Sequence, residues 1–176
     1  MKFFSILLIS SLFSTNLLSS GLNVFGIGIY DIKFDGSETN QSTDIRYEKR
    51  INKTLFNIGP EEDNFFFLKP FVGFEYTSDK ASYFITGMYL EDNLGQLFMG
   101  EENRYFFTPS FGVGYYDDGN GKKLGNEIQF RTTLEVSYKF NNNNRIGFSF
   151  GHISNANLGD KNPGVEIFNI SYQIPY

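Results

Sequence analysis

The sequence predicts an all-β fold, an eight-stranded antiparallel transmembrane β-barrel of the bacterial outer membrane, on three observations. Apolar residues alternate with polar or small ones through the chain after residue 20, and no stretch shows a helical period. Clusters of Gly, Asn and Asp interrupt that alternation and divide the chain into about eight strands, the smallest number that closes such a barrel. Aromatic residues make up 18% of the chain, with 21 Phe and 11 Tyr beside 18 Gly. That mixture suits strands with aromatic belts and small interior residues.

Taken in order, the chain begins with Met1-Lys2, an apolar run over 3–13 and a small polar run over 14–20. This is the order of a secretory signal peptide over 1–20, removed near Ser20, and its apolar run is too short to span a bilayer as a helix. Residues 21–176 then form one barrel domain. The first strand, 22–34, closes in the polar loop Asp35-Gly36-Ser37-Glu38-Thr39-Asn40. A weaker second strand, 44–52, leads to the breaker cluster Gly59-Pro60-Glu61-Glu62-Asp63-Asn64. The third, 65–77, contains Pro70, where a bulge or irregular patch is expected because proline cannot donate to a ladder. Ser78-Asp79-Lys80 is a tight turn and 81–91 the fourth strand, whereas 92–103 fits no element. The fifth strand, 104–116, ends in Asp117-Asp118-Gly119-Asn120-Gly121, the strongest turn signal in the chain. The sixth covers 126–140, a polyasparagine turn follows at 141–144, and the seventh and eighth strands cover 145–154 and 164–176.

A soluble β-sandwich competes with the barrel, and the last strand helps to separate them. Phe168, Ile170, Tyr172, Ile174 and Tyr176 alternate with Asn169, Ser171 and Gln173, so one face is apolar and the other wet. Alternation alone does not name the medium that covers the apolar face. The aromatic residue at the C-terminus fits a bacterial barrel strand.

Composition narrows the function classes. With no cysteine there is neither a disulfide framework nor a thiolate metal site. The formal net charge is −5, and one unit more negative without Lys2, which argues against nucleic acid as a partner.

The chemistry-bearing stretch is Gly151-His152-Ile153-Ser154-Asn155-Ala156-Asn157-Leu158, followed by Asn162-Pro163-Gly164-Val165-Glu166, and it holds the only histidine. A nucleophilic serine needs a base within hydrogen-bond reach, and the base needs a partner that fixes its tautomer. Ser154, His152 and Glu166 are those three types. In the seventh strand His152 and Ser154 share the phase of Phe148 and Phe150, opposite Gly147, Ser149 and Gly151, so both are expected to face lipid. Glu166 shares the outward phase of Phe168 and Ile170. With both termini in the periplasm, the seventh strand ends at the cell surface, which puts all three at the outer-leaflet rim. The residues alone also allow a plainer reading: an interfacial histidine with a nearby serine, and a rim charge like Glu101, Glu102 or Glu127.

At these residues the chain resembles the PagL-type lipid A 3-O-deacylases of Gram-negative outer membranes. Their hallmark is a His-x-Ser-Asn-Ala segment and a glutamate just after the next loop, matched by His152-Ile153-Ser154-Asn155-Ala156 and Glu166. The likeness continues through Leu124-Gly125-Asn126-Glu127-Ile128-Gln129-Phe130-Arg131, Arg145-Ile146-Gly147 and Asn162-Pro163-Gly164, and is strongest in the last third of the chain. It implies a hydrolase, acting on the lipid-facing barrel surface, that removes the ester-linked acyl chain at position 3 of lipid A. Ser154 would be the nucleophile, His152 the general base and then acid, and Glu166 the orienting carboxylate. Asn162 would help to hold the oxyanion, with Asn155 assisting. Asn157 departs from the family pattern, which often has glycine there. No metal or cofactor is expected, and the partners implied are lipopolysaccharide and the outer membrane. Two other readings stand beside this one: an outer-membrane phospholipase using the same triad, and a non-catalytic structural or adhesion barrel suggested by polar loops 35–40 and 117–121.

Overall fold

The computed structural model describes residues 20–33, 41–58 and 66–176. The secretory leader expected over 1–20 lies outside them except for Ser20, as do the polar loop 35–40 and the breaker cluster 59–64. In chain order the elements are β1 (Gly21–Tyr30), β2 (Ser42–Ile51), the short β3 (Phe56–Ile58), β4 (Phe66–Thr77), β5 (Ser82–Tyr89), the two-residue β6 (Asp92–Asn93), helix α1 (Leu94–Met99), β7 (Tyr105–Asp117), β8 (Ile128–Lys139), β9 (Arg145–Ser154) and β10 (Val165–Pro175). The eight long strands each pair antiparallel with their chain neighbours. β1 also pairs with β10, from Leu22 opposite Pro175 to Tyr30 opposite Ile167, so the sheet closes on itself. A sandwich requires two sheets stacked face to face. A single closed sheet is instead the eight-stranded barrel.

Strand periodicity sorts the side chains. Outward positions carry Phe25, Ile27, Phe74, Phe84, Phe111, Leu134, Phe148 and Ile170, all exposed, and together they form an apolar belt around the wall. Inward positions carry buried charge: Arg46, Glu48 and Arg50 of β2, Glu75 of β4, and Arg131 and Glu135 of β8. Arg50 makes a two-pronged contact with Glu135 (2.6 and 3.1 Å) and a third bond to Glu48 at 3.0 Å. Arg131 bridges Glu75 and Glu48, and Gln173 donates to Glu135 at 2.8 Å. Buried charges persist only when paired in this way. The network explains why the second strand reads weakly in the sequence, since its inward face is ionic where an apolar or small face is expected.

Above the network an apolar cluster fills the interior, including Tyr30, Ala81, Tyr83, Tyr116, Leu124, Ile153, Val165 and Ile167. The connections after β1, β4, β7 and β9 lie at this end, and the other end carries the start of β1, the end of β10 and the remaining connections.

Two stretches become specific. At Pro70 the irregularity takes the form of a gap on one edge and no bulge on the other: β4 opposes β5 without a slip from Lys69–Tyr89 through Pro70–Met88 to Tyr76–Ser82. On its other edge β4 pairs with β2 only as far as Arg50–Phe71, and with β3 from Phe56–Leu68. Proline occupies the gap where the partner changes, a place where its missing N–H costs no ladder bond. The unassigned stretch 92–103 begins with β6, which pairs with Phe107 and Phe106. It continues as α1, capped by Asn93 Oδ1 accepting from Gly95 N (3.0 Å) and Gln96 N (3.2 Å), and closed by Gly100 at φ +74°. A bridge and a helix of six residues are each too short to register as a period.

Candidate active site

In β9 the inward residues Gly147, Ser149, Gly151 and Ile153 are buried, while Phe148, Phe150 and His152 are exposed and Ser154 is half-buried. Ile153, between the histidine and the serine, is fully buried in the apolar cluster, and that burial turns its two neighbours to the outer wall. Val165 and Ile167 do the same for Glu166 on β10. The β9–β10 register sets Glu166 directly opposite His152. His152 Nδ1 lies 3.3 Å from Glu166 Oε1, with the histidine side chain 47% and the glutamate 27% exposed. Ser154 lies two residues along the same face, at the end of β9 and opposite Phe130 of β8. The fold therefore joins His152 to Glu166 and presents Ser154 beside them on the outer wall. Ser154 Oγ has no hydrogen-bond partner among the described residues.

The loop over 155–164 is built from within. The Asn155 side chain is fully buried, and its Nδ2 donates to the carbonyls of Leu124 and Lys161, each at 2.8 Å. Its backbone N–H donates to Asn162 Oδ1 at 2.9 Å. The donors that Asn155 could offer an oxyanion are thus committed to holding the loop. Asn162 accepts through Oδ1, which leaves its Nδ2 group as the donor of that side chain. Leu158 N bonds Asn155 O at 3.0 Å across Ala156 and Asn157, whose φ angles are +51° and +63°. Two successive positive φ values make this a type I′-like turn. Asn157 thereby loses its oddity, because asparagine and glycine are the residues that enter this left-handed region most readily.

Gly164 supports the histidine. Its φ is +58°, and a Cβ added there would lie 2.8 Å from His152 Cε1. The imidazole rests against a backbone with no side chain.

Sequence reasoning missed Lys33, whose Nζ lies 3.4 Å from Glu166 Oε2. No local pattern marks it, since only the pairing of β1 with β10 brings it to the site. Burial works against its ammonium, but the Glu166 carboxylate, with Asp31 behind it, outweighs this and holds the Lys33 pKa above the ordinary lysine value.

A cleft of about 570 Å³ opens at the same end and is lined by Tyr115, Asp117, Lys123, Asn126 and Lys161, among others, but not by His152, Ser154 or Glu166. His152, Ser154 and Glu166 lie on the wall, and the groove in line with them is apolar, about 290 Å³, lined by Phe25, Ile27, Ile146, Ile170 and Tyr172. Ile170 is four residues from Glu166 along β10, about 14 Å at the rise of an antiparallel strand.

The family model described as lipid A 3-O-deacylase (PagL) matches residues 30–175. A protein of Bordetella bronchiseptica named lipid A deacylase PagL is 33% identical over 71 residues, covering 39% of this chain and 40% of that protein. One of the same name from Pseudomonas aeruginosa is 29% identical over 80 residues, covering 44% and 46%. The chain thus spans less than half the length of the curated relatives it matches. The crystal structure of the outer membrane enzyme PagL superposes with a TM-score of 0.63 at 16% identity, over 88% of this chain and 99% of that one. A de novo designed transmembrane β-barrel superposes at 0.56 with 11% identity, over 89% and 95%. At these identities the likeness shows the fold.

Proposed function

The chain belongs to the lipid A 3-O-deacylase (PagL) family, and from that membership we propose that it hydrolyses the ester-linked 3-hydroxyacyl chain at position 3 of lipid A. The protein is an outer-membrane barrel. The observation that carries the proposal is the His152–Glu166 pair on the lipid-facing wall, with Ser154 in the same phase.

With Nδ1–H donating to Glu166, His152 Nε2 is the basic nitrogen. Ser154 Oγ attacks the ester carbonyl as its proton passes to Nε2, a contact that forms as substrate closes the site. The tetrahedral intermediate carries its negative charge on the former carbonyl oxygen. Asn162 Nδ2 supplies a hydrogen bond there, a kind of donor whose loss raises the barrier by roughly 2.7–4 kcal/mol. Collapse breaks the acyl C–O bond, and the sugar 3-oxygen leaves with the proton held on His152. Water, deprotonated by the same histidine, then attacks the acyl-enzyme and releases the fatty acid and free Ser154.

The site's place on the wall suits this substrate. A lipid reaches it by lateral diffusion with its chains still in hydrocarbon, and the apolar groove below is available to them. With both chain termini in the periplasm, the site end faces the outer leaflet, where lipid A resides. Mass spectrometry of lipid A from cells expressing the protein tests the reading. Loss of one ester-linked 3-hydroxyacyl chain is expected, and no loss when Ser154 is replaced by alanine. An unchanged wild-type spectrum, or the same loss with Ser154→Ala, overturns it.

A further inference from the structure

Lys33 meets the triad from outside it. The β1–β10 ladder runs one bond beyond the strands, with Ile32 N donating to Glu166 O at 3.0 Å, and this brings the next side chain onto the carboxylate. Lys33 Nζ lies 3.4 Å from Glu166 Oε2, while Glu166 Oε1 faces His152 Nδ1 at 3.3 Å. The two oxygens of one carboxylate therefore have two different partners. The terminal torsion of glutamate is broad and roughly two-fold, so a carboxylate held through one oxygen turns readily and one held through both does not. Lys33 is itself backed by Asp31, which is buried, lies 3.9 Å from Lys33 Nζ and accepts from Lys122 Nζ at 2.6 Å.

We propose that Lys33 is a positioning residue for the triad: by clamping Glu166 Oε2 it aims Oε1 at His152. It is the inner link of an ion-pair chain, Lys122–Asp31–Lys33–Glu166, that ties the catalytic strand pair to the segments after β1 and β7. The inference rests on the triad reading given above. A partly exposed ion pair contributes little to stability, so its effect falls on orientation. Lys33 touches no reacting atom and acts through Glu166, which sets its expected signature.

The test compares wild type, Lys33→Met and Lys33→Arg, each also in a Glu166→Ala background, as full-length barrels refolded in detergent. Folding is checked by heat-modifiable migration on gels, and Lys33→Gln replaces Lys33→Met if that variant does not fold. Two rates are read: labelling of Ser154 by a fluorophosphonate probe, and hydrolysis of purified lipid A. Lys33→Met is expected to slow labelling and kcat about tenfold with KM unchanged, at the low end of what losing an outer-shell partner does. Lys33→Arg should restore most of the rate, and Lys33→Met should add nothing in the Glu166→Ala background. Equal losses in both backgrounds, or a raised KM at unchanged kcat as for a lysine gripping a substrate phosphate, overturn the clamp. Wild type that is labelled while Lys33→Met reacts just as fast overturns the clamp alone. Wild type that is not labelled at Ser154 overturns the triad reading and the clamp with it.

Discussion

Replacing Gly164 by alanine builds a methyl group 2.8 Å from His152 Cε1 and 3.4 Å from Ile153 O. Carbon atoms in favourable contact stand about 3.5–4.0 Å apart, so the imidazole must withdraw by roughly 0.7 Å or more. The Ile153 carbonyl belongs to the β8–β9–β10 ladder and cannot yield, which leaves the half-exposed histidine to move. A misplacement near 1 Å costs about 10²-fold in rate. We therefore expect kcat to fall about 10²-fold. Holding alanine at φ +58° costs a further 1–2 kcal/mol or so in stability. Gly164→Asn separates the two effects: asparagine tolerates the left-handed backbone, so the stability loss shrinks, but its Cβ keeps the contact and the rate stays low. The assay pairs lipid A deacylation kinetics in detergent micelles with urea unfolding of the same samples. A Gly164→Asn enzyme within threefold of the wild-type rate would refute the contact as the cause.

Three further outcomes follow from the geometry. Asn162→Ala removes the Nδ2 donor together with the acceptor of Asn155 N–H; kcat should drop about 10²–10³-fold with KM little changed, read by the same kinetics. Ala156→Gly relieves a non-glycine residue at φ +51° and should raise unfolding stability by about 1 kcal/mol in a urea titration, with activity retained. Glu135→Ala leaves Arg50 short of its two-pronged partner inside the barrel and should cost about 3–5 kcal/mol in the same titration, while Ser154 of the remaining folded protein still reacts with a fluorophosphonate probe.

The outward phase of His152, Ser154 and Glu166 was legible because side-chain facing in a strand has a period of two and follows from neighbours on the same strand. The boundaries of β9 match the expected 145–154, where Phe148 and Phe150 alternate with glycine and serine without interruption. Legibility failed where the local signal was mixed. β2 reads as weak because Asp44, Arg46, Glu48 and Arg50 point inward, and their acceptability depends on partners from β8, β9 and β10 that lie far off in the chain. The family resemblance implies that Asn155 assists at the oxyanion. The period that turns Ser154 outward turns Asn155 inward, onto the carbonyls of Leu124 and Lys161.

By itself, then, the sequence determined the strand count, the apolar outer face and the alignment of the three candidate catalytic residues on it, because each is a local alternation closed by turn residues. Only the tertiary structure decided which residues meet across strands. Lys33 and Glu166 are 133 positions apart and touch because β1 pairs with β10 in one particular register. The pairing of ionic side chains inside the barrel and the support of His152 by Gly164 have the same origin. Closure and register are properties of the whole sheet, and no window of residues contains them.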